Sequence, residues 1–156
     1  VITSAEKLNA LVSLIEELDS CVIVAYTYVH ERERIMKVLP QAVNLKDVKD
    51  VETQWNCGKI PILLIQSGSG SHGLNLQVGG NKVIWFSPTW NYEDEDQLNS
   101  RLHRKGQTKP VMVYRLVCPG TIDRIIYTRL VSKGTTEELV MEYFKGLKSK
   151  YLGLNR

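Results

Sequence analysis

Two patterns of apolar positions alternate along this chain of 156 residues. Unbroken runs of apolar and β-branched residues, which are typical of strands buried on both faces, occur at four places and in a weaker form at a fifth. These strand segments are 21–26, 42–45, 60–65, 82–86 and 110–117. Strands separated by helical segments predict an α/β fold with a mostly parallel central sheet and helices on both faces.

Helices are predicted from apolar residues spaced three and four positions apart. In the first of them, Leu8, Leu11, Ile15 and Leu18 form one apolar stripe. The predicted helices are 3–18, 30–39, 46–57, 94–107, 120–133 and 135–148. We interpret 1–156 as a single domain, with 1–19 as a leading helix and 120–150 as closing helices.

Polar segments follow three of the predicted strands, at 27–31, 66–73 and 87–92. Parallel strands end at the same edge of a sheet, and ligands of such folds bind beyond those carboxyl ends. We therefore expect a binding site at this edge.

The segment 94–107, DEDQLNSRLHRKGQ, has no glycine or proline before Gly106 and is predicted to be one helix that ends there. Gln97, Arg101 and Arg104 then lie on one face, at i, i+4 and i+7. Two arginines one turn apart suit a ligand with several phosphate oxygens, because a guanidinium can donate two parallel hydrogen bonds. The alternative is a solvated face whose arginines pair with Glu93, Asp94 or Asp96.

Residues 68–73, GSGSHG, match the G-x-G-x-x-G pattern of dinucleotide-binding folds. We reject that interpretation because only eight residues, 74–81, precede the next predicted strand. A dinucleotide-binding turn must open a helix long enough to cross back over the sheet. The chain also lacks the G-x-x-x-x-G-K-[ST] motif of a phosphate-binding P-loop. The glycine-rich loop can still present backbone amides to phosphate, since small residues allow close approach.

Composition and charge add modest limits. The net charge of +3 is compatible with nucleic acid but does not require it. Cys21, Cys57 and Cys118 are far apart and form no CxxC pair, which argues against a disulfide framework or a zinc site and fits a reducing compartment. No apolar run approaches the roughly 20 residues of a membrane span, and no secretory signal is found.

These observations lead us to expect a cytoplasmic protein with no metal site and no membrane contact. The first residue is Val1 and not Met, so we also expect the chain to be part of a longer protein.

Several segments, taken together, resemble a known family. In chain order they are GLNL at 73–76, KVIWF at 82–86, PTWN at 88–91, Gln97 with RLHRKGQ at 101–107, VYRLV at 113–117 and GTID at 120–123. Their order and spacing are similar to the second RecA-like lobe of Swi/Snf-type superfamily 2 helicases, which are duplex-DNA translocases and chromatin-remodelling motors. Within that family the chain is most similar to phage and prophage members. The resemblance covers about residues 20–150.

The resemblance implies a RecA-like three-layer sandwich and a role in an ATP-driven motor. Arg101 and Arg104 match the two motif VI arginines, which reach the phosphates of ATP held by the first lobe, and Gln97 matches the leading glutamine of that motif. Residues that the resemblance implies in coupling nucleotide to DNA are Gly73 and Asn75 of motif V and Gln107, which closes motif VI. Residues implied in contact with the DNA backbone are Tyr26, Thr27, Gln66, Ser69 and Gly70.

The resemblance also implies ATP and Mg²⁺ held mainly by a first lobe, whose phosphate loop and DExx magnesium site are absent from this chain. The implied partners are double-stranded DNA and that first lobe of the same protein, and the lobe alone is expected to be inactive. Two alternatives stay open. One is a lobe that acts on RNA or single strands, and the other is a non-catalytic module that binds DNA or a protein.

Overall fold

The computed structural model describes residues 4–68, 73–118 and 120–132. At its centre lies a five-stranded sheet in the order β2-β3-β1-β4-β5, with every neighbouring pair parallel. The strands are β1 (Val22–Tyr26), β2 (Val43–Asn44), β3 (Ile62–Gln66), β4 (Lys82–Trp85) and β5 (Met112–Arg115). All five predicted strands are confirmed.

Five helices lie in the described part of the chain. They are α1 (Ser4–Leu18), α2 (Val29–Val38), α3 (Val51–Asn56), α4 (Tyr92–Asn99) and α5 (Ile122–Ser132). The helix predicted at 46–57 is divided into a 3₁₀ turn, Leu45–Asp47, and α3. The division falls where Asp50 adopts a left-handed backbone, with φ of 58°. The helix predicted at 135–148 lies outside the described residues.

The side chains of the sheet divide between two hydrophobic cores. Along β1, Val22 and Val24 belong to a core with Leu11 of α1 and Ile35 of α2. The alternate residue Ile23 belongs to the opposite core, because successive strand residues point to opposite faces. Side chains from three helices complete that second core: Trp55 of α3, Leu98 of α4 and Ile126 of α5. The predicted α/β sandwich with helices on both faces is thus confirmed.

The register of the sheet brings three strand ends together. Tyr26 at the end of β1 pairs with Gln66 at the end of β3, and Ala25 pairs with Trp85 at the end of β4. The segments that follow β1, β3 and β4 therefore meet at one edge, as the sequence predicted. We call this the strand edge.

The helix predicted at 94–107 is wrong at both ends. α4 begins two residues earlier, at Tyr92, where the side chain of Asn91 caps it by accepting a hydrogen bond from the backbone two residues on, at 3.0 Å. It ends at Asn99 and not at Gly106.

Residues 100–107 form a loop of successive turns, which we call the arginine loop. The backbone tightens here, since Arg101 N donates to the carbonyl three residues back at 3.0 Å. The Ser100 hydroxyl donates to the carbonyl of Gln97 at 2.7 Å, which offers the chain an alternative to helical bonding. Gly106 turns the chain within the loop, with φ of 102°. Gln97 therefore stays on α4 while both arginines leave it, and their predicted common helix face is not formed.

Candidate functional site: the arginine loop and the strand edge

Arg101 is a buried cation, with 7% of its surface exposed. Within the described part of the chain its Nε has no hydrogen-bond partner. Burial, and secondly the charge of Arg104, lowers the pKa of Arg101 below the usual arginine value, yet an arginine stays charged in proteins. A buried N–H donor without a partner is costly, so the Nε of Arg101 is suited to an anionic ligand.

Arg104 is half-buried and held by the segment that precedes β4. Its Nη1 donates to Asn75 Oδ1 at 2.5 Å and lies 3.5 Å from the carbonyl oxygen of Leu74. Among the described residues the salt bridges are Lys7–Asp123 and Arg115–Glu95. The alternative of a solvated face with paired arginines therefore does not describe Arg101 or Arg104.

Gln107 braces the arginine loop. Its Nε2 donates to the carbonyl oxygens of Gly80, at 3.0 Å, and Leu102, at 3.1 Å. Its Oε1 accepts a hydrogen bond from Lys109 N at 3.2 Å. The carboxamide of Gln107 is thus occupied on both sides by backbone, and it joins the loop to residues 73–80, which we call the Asn75 segment.

Trp55 of α3 anchors the Asn75 segment to the hydrophobic core. Its fully buried indole donates from Nε1 to the carbonyl oxygen of Leu76 at 2.8 Å. A Cβ added to Gly79 would lie 2.5 Å from Cδ1, Nε1 and the carbonyl oxygen of Trp55, and one added to Gly80 would lie 2.9 Å from Cζ2. Glycine is needed at these two positions because the segment lies directly on the indole. Sequence reasoning missed this contact, although two adjacent glycines are a signal of close backbone approach.

Thr27 and Glu31 organise the strand edge. The backbone N–H of Thr27 donates to Glu31 Oε2 at 3.0 Å and to Ser87 Oγ at 3.1 Å. Its side-chain Oγ1 donates to the carbonyl oxygen of Pro88 at 3.1 Å. Glu31 is 9% exposed, and the same Oε2 accepts from Tyr28 N at 3.0 Å and from Ser87 Oγ at 2.7 Å. One buried carboxylate therefore joins the ends of β1 and β4. Sequence reasoning did not select Glu31, although an acid in the first turn of a helix is a capping signal.

The remaining candidates for DNA contact differ in their surroundings. Gln66 is half-buried and donates from Nε2 to the carbonyl oxygen of Thr27 at 3.1 Å. Tyr26 is 2% exposed, and its hydroxyl accepts a hydrogen bond from Asn44 Nδ2 at 2.9 Å. Its ring lies in the core, so the side chain of Tyr26 supports the strand edge from within the fold. Ser69 and Gly70 lie outside the described residues.

The motif V residues Gly73 and Asn75 are exposed at the start of the Asn75 segment. Gly73 has φ of 78°, which favours glycine because other residues rarely adopt it. Asn75 uses its side-chain oxygen for Arg104. The structure therefore brings one predicted coupling residue into contact with one predicted phosphate-binding arginine.

A cavity of about 310 Å³ lies beside the arginine loop. Its lining includes Arg104, Lys105, Lys109 and His103, and among the described residues no carboxylate contributes to it. Such a lining suits an anion. Within residues 4–68, 73–118 and 120–132, no group of three His, Cys, Asp or Glu side chains could hold a metal ion. None of the helices in those ranges is both long and apolar enough to span a bilayer.

Comparisons with known proteins identify relatives of this chain. Protein p41 of Acyrthosiphon pisum secondary endosymbiont phage 1 is 36% identical over 145 residues, which are 89% of this chain and 32% of that protein. Lymphoid-specific helicase of Homo sapiens is 33% identical over 147 residues, which are 92% of this chain and 17% of that protein. No family model matches the chain.

The solved structures agree on the fold. A crystal structure of the C-terminal part of the Fun30 ATPase domain superposes with a TM-score of 0.72 at 23% identity, over 92% of this chain and 54% of that one. The helicase domain of Pyrococcus furiosus Hef superposes with a TM-score of 0.61 at 22% identity, over 79% of this chain and 28% of that one.

The fold and the relatives together define a RecA-like lobe of a superfamily 2 ATPase. Within that class the chain belongs to the C-terminal lobes of Swi/Snf-type members, as the motifs predicted. The chain spans a third or less of the length of these two curated relatives.

Proposed function

We propose that this chain is the second motor lobe of an ATP-dependent DNA helicase or duplex-DNA translocase. The observation that carries the proposal is the buried Arg101, whose Nε has no partner in the described residues, next to Arg104 in a loop with the motif VI sequence. The ligand that fits two neighbouring guanidiniums is a polyphosphate. Because the chain lacks a P-loop motif, we assign the main share of ATP and Mg²⁺ binding to a first lobe.

In this proposal Arg101 and Arg104 act as arginine fingers. Phosphoryl transfer depends mainly on positioning and on stabilisation of charge in the transition state, and an arginine finger contributes about 10³ to 10⁵ in rate. That corresponds to about 4–7 kcal/mol. The burial of Arg101 strengthens its electrostatic effect, because there is less water to screen it. Fingers supplied by a second lobe make hydrolysis depend on closure of the two lobes.

The strand edge is proposed to contact the DNA backbone through Thr27 and Gln66, together with Ser69 and Gly70. Neutral hydroxyl, amide and backbone N–H groups are donors commonly used for phosphate, and such contacts carry no base specificity. Gly73 and Asn75 of the motif V segment would couple this edge to the arginine loop, which Asn75 contacts through Arg104. Gln107 contributes by holding the arginine loop in place. Gln97 contributes from α4, as the leading glutamine of motif VI.

The 156-residue chain alone is expected to turn over no ATP above background and to bind it weakly, because it supplies only one side of the proposed site. Release of inorganic phosphate, with Mg²⁺ and duplex DNA present, measures this. The protein that carries both lobes is the positive control. Appreciable turnover by the purified chain, at a rate that scales with its concentration and survives repurification, would contradict the proposed division of labour.

A further inference from the structure

Helix α3 holds the backbone of the Asn75 segment by side-chain hydrogen bonds from both of its ends. Asn56 Nδ2 donates to the carbonyl oxygen of Asn75 at 2.8 Å, and Asn56 Oδ1 accepts from Gly79 N at 2.9 Å. Glu52 Oε2 accepts from Asn75 N at 3.0 Å. Both polar groups of the Asn75 backbone are thus bound by α3.

The side chain of the same residue meets the arginine loop. Asn75 Oδ1 accepts from Arg104 Nη1 at 2.5 Å. A continuous series of hydrogen bonds therefore runs from Asn56 through Asn75 to Arg104. Each end is fixed by packing, since α3 is anchored by the buried Trp55 and the arginine loop by the buried Leu102.

We propose that Asn56 is a positioning residue for Arg104. It does not reach the nucleotide, but it fixes the backbone from which Asn75 orients the guanidinium. The carboxamide suits this task because it donates and accepts at once: its Nδ2 serves one end of the segment and its Oδ1 the other. Aspartate would keep the acceptor for Gly79 N and lose the donor to the Asn75 carbonyl.

The inference rests on the proposed function, and its mechanism is geometric. A misplacement of about 1 Å in a group that acts in the transition state can cost about 10²-fold in rate. Since Asn56 is partly exposed and Asn75 is exposed, water can replace some of the lost bonding. We therefore expect about a tenfold loss in kcat from Asn56→Ala, equivalent to about 1.4 kcal/mol. The fold should survive, because the indole of Trp55 still anchors the segment.

The test measures ATP hydrolysis by the two-lobe protein at saturating duplex DNA. The variants are Asn56→Ala, Asn56→Asp, Arg104→Ala and the double variant Asn56→Ala/Arg104→Ala. Gln54→Ala is the matched control, because Gln54 lies on the same helix and its side chain donates to the Lys49 carbonyl and not to the Asn75 segment. Thermal unfolding measures the stability of each variant. If Asn56→Ala does not fold, Asn56→Asp takes its place as the test of the inference.

We expect Asn56→Ala and Asn56→Asp to lower kcat with little change in KM for ATP, and Gln54→Ala to match wild type. The double variant should be no slower than Arg104→Ala alone, because Asn56 acts through Arg104. Losses that multiply in the double variant, or an Asn56→Ala rate equal to that of Gln54→Ala, would overturn the inference while leaving the proposed function intact. A wild-type rate for Arg104→Ala would overturn both.

Discussion

Replacement of Arg104 with alanine in the two-lobe protein is expected to lower the rate of ATP hydrolysis by about 10³-fold, the lower end of the range for an arginine finger. The expected loss lies in kcat, because the guanidinium is proposed to stabilise charge that develops only in the transition state. Arg104 is half-buried and its described partners are neutral, the carboxamide of Asn75 and the carbonyl of Leu74. Its removal should therefore leave the fold intact. Steady-state rates at saturating duplex DNA measure the effect.

Two variants control for charge and for geometry. Lys105→Ala removes the adjacent exposed cation from the same cavity lining and should have only a small effect on kcat. Arg104→Lys keeps the charge but loses the planar fork, so it should recover only part of the rate. An Arg104→Ala enzyme as fast as wild type would show that this arginine has no part in hydrolysis.

The second large effect is expected on stability, at Trp55. Truncation to alanine should lower the free energy of unfolding by about 3–5 kcal/mol, the range for buried tryptophan or phenylalanine. The indole is fully buried, it packs against Gly79 and Gly80, and its Nε1 donates to the carbonyl oxygen of Leu76. Urea denaturation followed by circular dichroism measures the change without relying on tryptophan fluorescence.

Trp55→Phe separates packing from hydrogen bonding. Trp55→Phe keeps an aromatic ring against the glycines and loses the donor to Leu76. It should therefore lower the free energy of unfolding, relative to wild type, by about 1–3 kcal/mol. If Trp55→Ala cost less than about 1 kcal/mol, the indole would not be the anchor of the Asn75 segment.

The sheet could be predicted from sequence because its signals are local. Runs such as 21–26 and 60–65 are apolar throughout, which is the pattern typical of a strand buried on both faces. Their observed counterparts, β1 and β3, differ by at most two residues at either end. The meeting of strand ends at one edge then followed from parallel pairing alone.

The arginine loop was predicted incorrectly because the end of helix α4 is set by side chains and not by a helix breaker. No glycine or proline lies between Asn99 and Gly106, so residue propensity extends the helix across both arginines. Side-chain hydrogen bonds stabilise the turns instead. They come from the Ser100 hydroxyl, from the Gln107 carboxamide and from the Trp85 indole, which donates to Asn99 Oδ1 at 3.0 Å. Tertiary contacts thus override a weak local preference.

The contacts around Asn75 could not be predicted for a different reason. Its partners in α3 lie 19 and 23 residues away along the chain, and its partner in the arginine loop, Arg104, lies 29 residues away. The motif identified Asn75 and Arg104 as related to one function, but spacing in sequence carries no information on their separation in space. Glu52, Trp55 and Asn56 belong to a short amphipathic helix that resembles many others.

The measurement that tests the central claim most directly is ATP hydrolysis by the two-lobe protein without nucleic acid and with duplex DNA, single-stranded DNA or RNA. Duplex DNA is expected to stimulate turnover more than single-stranded DNA or RNA does. Stronger stimulation by RNA or single strands would assign the lobe to a motor on those substrates. Hydrolysis that is absent, or indifferent to every nucleic acid, would contradict the motor account and indicate a module that only binds.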